Sequence, residues 1–206
     1  ACAPYRRLHL CNKNMENMDT NNNDGKAKDN LLLEVCMAAK YEGETLTRQH
    51  YEHKLTNSDV NINICTVLAR SFADIGDIVR GRDLYGRDNK KDKLQEQLKQ
   101  YFNNIYDNLE GVAQNHYNGD KNNNYYQLRE DWWTANRETV WEAITCDAPN
   151  NAQYFRQTCG GSGKTGTLTK DKCRCGDGKK TGTNADQVPT YFDYVPQYLR
   201  WFEEWA

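Results

Sequence analysis

A chain of 206 residues can bury one sizeable core or two smaller ones. Its hydrophobic content of 37% and mean hydropathy of -1.00 are low for a compact enzyme, and 13 Tyr with 5 Trp supply the missing apolar area. A formal charge of -2 lacks the basic surplus expected of a nucleic-acid binder, and no stretch approaches the roughly 18 apolar residues of a membrane span.

Residues 1–28 read as irregular: two Cys, a Pro, then a polar Asn-Asp-Gly loop. A helix is expected from Asp29, with Leu32, Val35, Cys36 and Ala39 on one face, continuing through Leu46 and Tyr51 to Leu55. Gly43 reads as a tolerated weak point or a kink. The stretch from Asp59 to Asn63 is a loop rich in possible caps. The next helix buries Cys65, Leu68, Phe72, Ile75 and Val79, and Gly81 suits its C′ position. A basic, Gly-bearing loop over 80–92 leads to a helix with the core stripe Leu94, Leu98, Phe102, Ile105 and Leu109, and Gly111 is its stop signal. After a loop over 115–124, Leu128, Trp132, Trp133, Val140, Trp141 and Ile144 make an aromatic helix ending near Cys146. Residues 147–190 are loop-like and carry three Cys. The 23 Asn cluster at 21–23 and 122–124, as turns and solvated loops require. No segment alternates with period two, so the fold class is all-α, helices packed on helices.

Tyr198, Trp201, Phe202 and Trp205 recur at i, i+3, i+4 and i+7, one apolar face of a last helix. The chain stops inside that pattern with no cap, which predicts a piece of a longer protein. Eight Cys without paired metal spacing point to an oxidising compartment. No signal peptide precedes Ala1, so an extracellular placement also requires excision from a longer chain.

Three arrangements imitate chemistry. Gly161-Ser162-Gly163-Lys164-Thr165 resembles the end of a phosphate-binding loop, yet Thr158 stands where the first Gly is needed and no apolar strand precedes it. Cys159, Cys173 and Cys175 lack the paired spacing of a zinc site, and His9, His50, His53 and His116 lie far off, so disulfides account better for them and no metal or cofactor is expected. Glu42, Glu44, Glu138 and Glu142 read as solvated helix faces rather than paired catalytic carboxylates, with no nucleophile and base beside them. The chain does not read as an enzyme. Trp132, Trp133 and Trp141 sit at core spacing and read as packing rather than a ligand cage.

The run Asp74-Ile75-Gly76-Asp77-Ile78-Val79-Arg80-Gly81, Trp132-Trp133, Trp141-Glu142-Ala143-Ile144-Thr145-Cys146 and the closing Pro196-Gln197-Tyr198-Leu199-Arg200-Trp201-Phe202-Glu203-Glu204-Trp205 form a further signal. So do Cys2-Ala3-Pro4-Tyr5-Arg6-Arg7-Leu8-His9-Leu10-Cys11 and Cys36-Met37-Ala38-Ala39-Lys40-Tyr41-Glu42-Gly43 upstream. In this order and spacing they resemble the Duffy-binding-like adhesion domain, in the alpha class that heads the Plasmodium falciparum erythrocyte membrane protein 1 family. The resemblance covers nearly the whole chain and weakens only in two polar inserts.

It implies a disulfide-stapled helical bundle with long polar loops, divided into part of a first subdomain (1–58), a second (59–146) and the start of a third (147–206). It implies adhesion: an ectodomain on the infected erythrocyte surface that binds host red-cell or endothelial receptors or sulfated glycan, meets host antibodies, and adjoins a neighbouring domain of the same polypeptide. The alternative is a structural and antigenic scaffold supporting an adjacent receptor-binding domain. No receptor contact transfers residue by residue. On charge alone, Lys164, Lys170, Lys172, Arg174, Lys179 and Lys180 oppose only Asp171 and Asp177, a local +4 that suits a sulfated glycan; a solvated loop is the plainer reading. Should that patch fail, Arg6, Arg7 and the 80–93 loop come next. Cys65 opens one expected helix and Cys146 closes another, and the matching pair in the wider family has similar spacing, so a Cys65–Cys146 bond is expected. A Cys159–Cys175 bond is expected too. By family analogy Cys173 pairs beyond Ala206, and Cys2 and Cys11 pair before Ala1. Cys36 is left unassigned, with Cys11–Cys36 as a local alternative.

Overall fold

The computed structural model describes residues 2–20, 25–57, 62–85, 93–160, 166–176 and 187–206. Its helices are α1 (Tyr5–Leu8), α2 (Ala27–Thr56), α3 (Ile64–Arg80), α4 (Lys93–Asp107), α5 (Gly111–His116), α6 (Tyr126–Ile144) and α7 (Gln197–Trp205), with single 3-10 turns at Met15–Asn17, Asp120–Asn123 and Phe192–Tyr194. No strand occurs among the described residues; Cys159 with Thr167 and Asp171 with Arg174 form isolated bridges only. The fold is all-α.

The central helix is α3. Its N-cap is Asn63, whose side-chain oxygen accepts the Thr66 amide at 3.2 Å, and it ends on Gly81 at φ 70°, a left-handed position that suits glycine. The expected stripe Cys65, Leu68, Phe72, Ile75 and Val79 is buried, but so are Asp74, Asp77 and Arg80. From Ser71 to Arg80 helix α3 is therefore enclosed on every side, and its charges must find partners there. Trp133 and Trp141 of α6 pack on Phe72 with ring centroids at 5.1 and 5.2 Å, and Trp132 meets Phe102 of α4 edge-on at 6.2 Å. Each aromatic position read as packing is in the core. Trp133 and Trp141 also satisfy their indole N–H groups, on the Asp193 carboxylate and the Cys173 carbonyl.

Helix α2 runs unbroken for 30 residues. Its buried face is Leu31, Val35, Ala38, Ala39 and Leu46, turned slightly from the expected one, so that Leu32 and Cys36 are half-buried. Tyr51 and Leu55 lie in solvent at 64% and 70% exposure, because the last turns of α2 extend past the bundle. Gly43 is neither kink nor weak point. A Cβ there would stand 1.9 Å from the Ile144 carbonyl oxygen, so glycine lets α2 and α6 touch backbone to backbone. Gly111 does not simply end a helix: α4 stops at Asp107, and Gly111, at φ 50°, opens the short α5, whose last two residues enter the 115–124 stretch expected to be a loop.

Cysteine pairing departs from expectation. Cys65 is bonded to Cys173, with Cα atoms 5.5 Å apart, and Cys146 is free and exposed. Helix α6 ends at Ile144, two residues before Cys146, which is exposed, whereas the Cys173 amide bonds the Ala152 carbonyl and its carbonyl accepts Trp141, drawing Cys173 into the core beside Cys65. Cys173 thus has an internal partner rather than one beyond Ala206. Cys159 and Cys175 are joined, Cα atoms 5.2 Å apart. Cys2, Cys11 and Cys36 are free, and the Cys11–Cys36 alternative does not form.

Candidate functional site

Of the basic patch, Lys164, Lys179 and Lys180 lie outside the described residues. The other three do not share one role. Lys172 donates its ammonium to the Cys146 carbonyl at 2.7 Å. Arg174 donates Nε to the Thr145 hydroxyl at 2.8 Å, donates Nη2 to the Glu142 carbonyl and pairs with the Glu142 carboxylate at 3.3 Å. Both cap the C-terminus of α6, where bare carbonyls attract cations. Lys170 alone of the three is exposed.

Arg6 and Arg7 are not surface contacts. They enter a buried ionic cluster built on the Asp74–Gly81 run. Asp74 is its hub: Oδ2 accepts Arg6 at 2.7 Å, and Oδ1 accepts Arg200 at 2.7 Å, Gln197 at 3.1 Å and Trp201 at 3.3 Å. Asp77 accepts Arg200 at 2.6 Å and Arg80 at 3.0 Å. Arg6 also holds Glu204 at 2.9 Å, and Arg7 pairs with Asp83, which Gln197 bonds at 2.7 Å. Nearby, Arg137 grips both oxygens of Asp193 at 2.8 Å. Burial pushes the Asp77 carboxyl up to about 6 despite Arg200 and Arg80. Burial acts on Asp74 the same way, but Arg6 and Arg200 outweigh it and hold Asp74 below the usual carboxylate value.

This cluster inverts α7. The face turned to the core is Gln197, Arg200 and Trp201, with Glu204 close behind, at i, i+3, i+4 and i+7. Of the expected apolar stripe only Trp201 is buried; Tyr198, Phe202 and Trp205 are 52%, 68% and 61% exposed. The available signals were Asp74, Asp77 and Arg80 at helical spacing on α3 and the polar stripe on α7. They remain silent until the two helices are known to meet.

The carboxylates weighed as catalysts are otherwise occupied or dispersed. Glu42 is buried and accepts the Ser71 hydroxyl at 2.7 Å and the Cys11 amide at 3.0 Å, Glu142 pairs with Arg174, and Glu44 and Glu138 are exposed. Among the described residues no three His, Cys, Asp or Glu side chains are grouped to hold a metal, and no helix is long and apolar enough to cross a membrane.

The Duffy binding domain profile matches residues 1–200. The chain belongs to that family. Domains of this family are adhesion modules, not enzymes. This Duffy-binding domain is 48% identical to the NTS-DBL1-alpha domain of PfEMP1 from the Plasmodium falciparum varO strain, with a TM-score of 0.77 over all of this chain and 43% of that one. It is 33% identical to the IT4var13 PfEMP1 DBLbeta domain in a structure bound to ICAM-1, with a TM-score of 0.73 over 100% of this chain and 44% of that one. The Plasmodium vivax Duffy receptor is 24% identical over 143 residues, 69% of this chain and 12% of the receptor. The chain thus spans less than half of the relatives it matches.

Proposed function

We propose that this chain is the adhesive part of an antigen on the infected red-cell surface and binds a host cell-surface receptor or glycan, in cytoadhesion or rosetting. The observation that carries this reading is its likeness, at 33% identity over its whole length, to a DBLbeta domain solved with ICAM-1 bound. The division at 58/59 and 146/147, the meeting with host antibodies and a neighbouring domain of the same polypeptide belong to the same proposal.

For a sulfated glycan the proposed contacts are Lys164, Lys170, Lys179 and Lys180. Lys172 and Arg174 are better assigned to the α6 terminus, and that assignment favours a second reading, a scaffold beside a receptor-binding neighbour. The test is heparin retention of the wild-type chain against a variant with Lys164, Lys170, Lys179 and Lys180 replaced by Gln, at matched circular dichroism. Adhesion through this patch requires retention that falls as salt rises, since exposed charges are screened over about 8 Å at physiological ionic strength, and a variant that elutes earlier. Equal retention removes the patch. Absence of binding to heparin, uninfected red cells and endothelial cells alike selects the scaffold.

A further inference from the structure

Of the 23 Asn in the chain, Asn118 alone is followed by glycine. It lies between α5 and the 3-10 turn at Asp120–Asn123, so no helix fixes its backbone, and both Asn118 and Gly119 are exposed. The Asn118 amide donates to the Asn115 carbonyl at 3.1 Å and the Asp120 amide to the Tyr117 carbonyl at 3.0 Å. Between them, the Gly119 amide donates to no group among the described residues, and the Asn118 side chain is bonded to none of them either. Other asparagines differ: the side-chain amides of Asn14, Asn63, Asn104 and Asn136 each donate to a backbone carbonyl.

Gly119 sits at φ 87°, in the left-handed region, and a Cβ built there would meet nothing within 4 Å. Glycine is used here for its backbone conformation, and no neighbour hinders movement of the turn. We propose that Asn118–Gly119 is a self-modifying site, at which the folded chain converts Asn118 to isoaspartate and aspartate without an enzyme. The Gly119 nitrogen attacks the side-chain carbonyl carbon of Asn118. A bond forms between them, the bond from that carbon to the side-chain nitrogen breaks, and this nitrogen leaves as ammonia with the proton that Gly119 gives up. Water then opens the cyclic imide at one of its two carbonyls. Opening on the side-chain side restores the main chain as aspartate, and opening on the main-chain side leaves the chain running through the side chain, as isoaspartate. Either product carries a carboxylate where the amide stood.

The next residue gives this reaction a structural consequence. Asp120 is buried, its carboxylate accepts the Gln127 amide at 3.1 Å and the Leu128 amide at 3.0 Å, and its carbonyl accepts the Tyr125 amide at 2.9 Å. These bonds satisfy amides at the first turn of α6, the helix that carries Trp133 and Trp141 into the core. Isoaspartate at position 118 lengthens the main chain by a methylene carbon just ahead of Asp120, which shifts the carboxylate against the helix it caps. Aspartate changes the charge alone. The site does not depend on what the domain binds.

Peptide mapping by mass spectrometry of the folded, disulfide-bonded chain, held in warm and mildly alkaline buffer, tests it. The peptide holding Asn118 is expected to gain the amide-to-acid mass change ahead of those holding Asn14, Asn63 and Asn136, and isoaspartyl methyltransferase is expected to label it. Asn118→Gln, whose longer side chain closes the ring poorly, loses that label. The isoaspartyl chain, separated from the fresh chain by charge, should have a lower denaturation midpoint, while fresh Asn118→Asp, with the charge and no longer main chain, keeps the midpoint of the wild type. Conversion that requires prior denaturation, or that is no faster at Asn118 than at Asn14, overturns the site. An unchanged midpoint in the isoaspartyl chain, or an equal fall in Asn118→Asp, overturns its link to the α6 cap.

Discussion

At the scale of single residues, Asp74 and Asp77 sit three positions apart on α3 and share Arg200, yet their carboxyl pKa values shift in opposite directions. Asp74 is met by Arg6 and Arg200 together and stays ionised, so Asp74→Asn leaves Arg6 with Glu204 alone and Arg200 with Asp77 alone for counter-charge. That change is expected to cost about 3–5 kcal/mol, the usual loss when one member of a buried ionic group is removed, and denaturant unfolding at pH 7 measures it. Asp77 binds its proton more tightly when folded, at about 6 against an ordinary 3.8. Its contribution to stability is therefore full below about pH 4 and is lost as pH rises towards 6. Wild-type stability relative to Asp77→Asn should fall across that window and level off above it. A rise across the same window would show that Asp77 is ionised throughout, as Asp74 is.

Among the helices, α2 meets α6 backbone to backbone at Gly43. The Ile144 carbonyl would meet a Cβ at 1.9 Å, and because that atom belongs to the backbone of a packed helix, relief requires the helices to separate. Gly43→Ala gains roughly 1 kcal/mol of helix propensity and loses about 3 kcal/mol to overpacking. The expected result is a lower denaturation midpoint, whereas a glycine that is merely a weak point in a helix gives a higher one. The same distinction separates Gly43 from an exposed glycine, and the sequence cannot make it: the glycine is visible, and the carbonyl 101 positions away is not. Helix α7 carries two stripes at identical spacing, one apolar and one polar. Periodicity favours burying the apolar one. The cluster around Asp74 reverses that choice because turning α7 over would take Arg200 from Asp74 and Asp77 and Glu204 from Arg6, at a greater cost than exposing Tyr198, Phe202 and Trp205.

Across the whole molecule, the bond from Cys65 to Cys173 closes a loop of sequence separation 108 and fastens the segment after α6 onto the start of α3. In the chain-entropy treatment a loop of this size contributes about 4.7 kcal/mol. Replacing Cys65 and Cys173 together by Ser should lower unfolding free energy by about 2–5 kcal/mol, while Cys146→Ser, at an exposed free thiol, should stay within about 0.5 kcal/mol of wild type. Peptide mapping of the oxidised chain checks the pairing directly: a Cys65–Cys146 peptide would reverse both expectations.

Helices α2, α3, α4, α6 and α7, the family and most of the core were legible in the sequence, but α1 and α5 were not. Apolar side chains repeat with the period of a long helix that buries them, and the Asp74–Gly81, Trp141–Cys146 and Pro196–Trp205 runs occur in one order. The sequence did not determine which cysteine reaches Cys65, which face of α7 turns inward, or that Arg6 and Arg7 pair with carboxylates inside the fold. Each of those depends on a partner far along the chain: Arg6 lies 68 positions from Asp74, and Arg200 lies 126. A charged residue reads as solvated until its counter-charge is brought beside it, and only the tertiary structure does that.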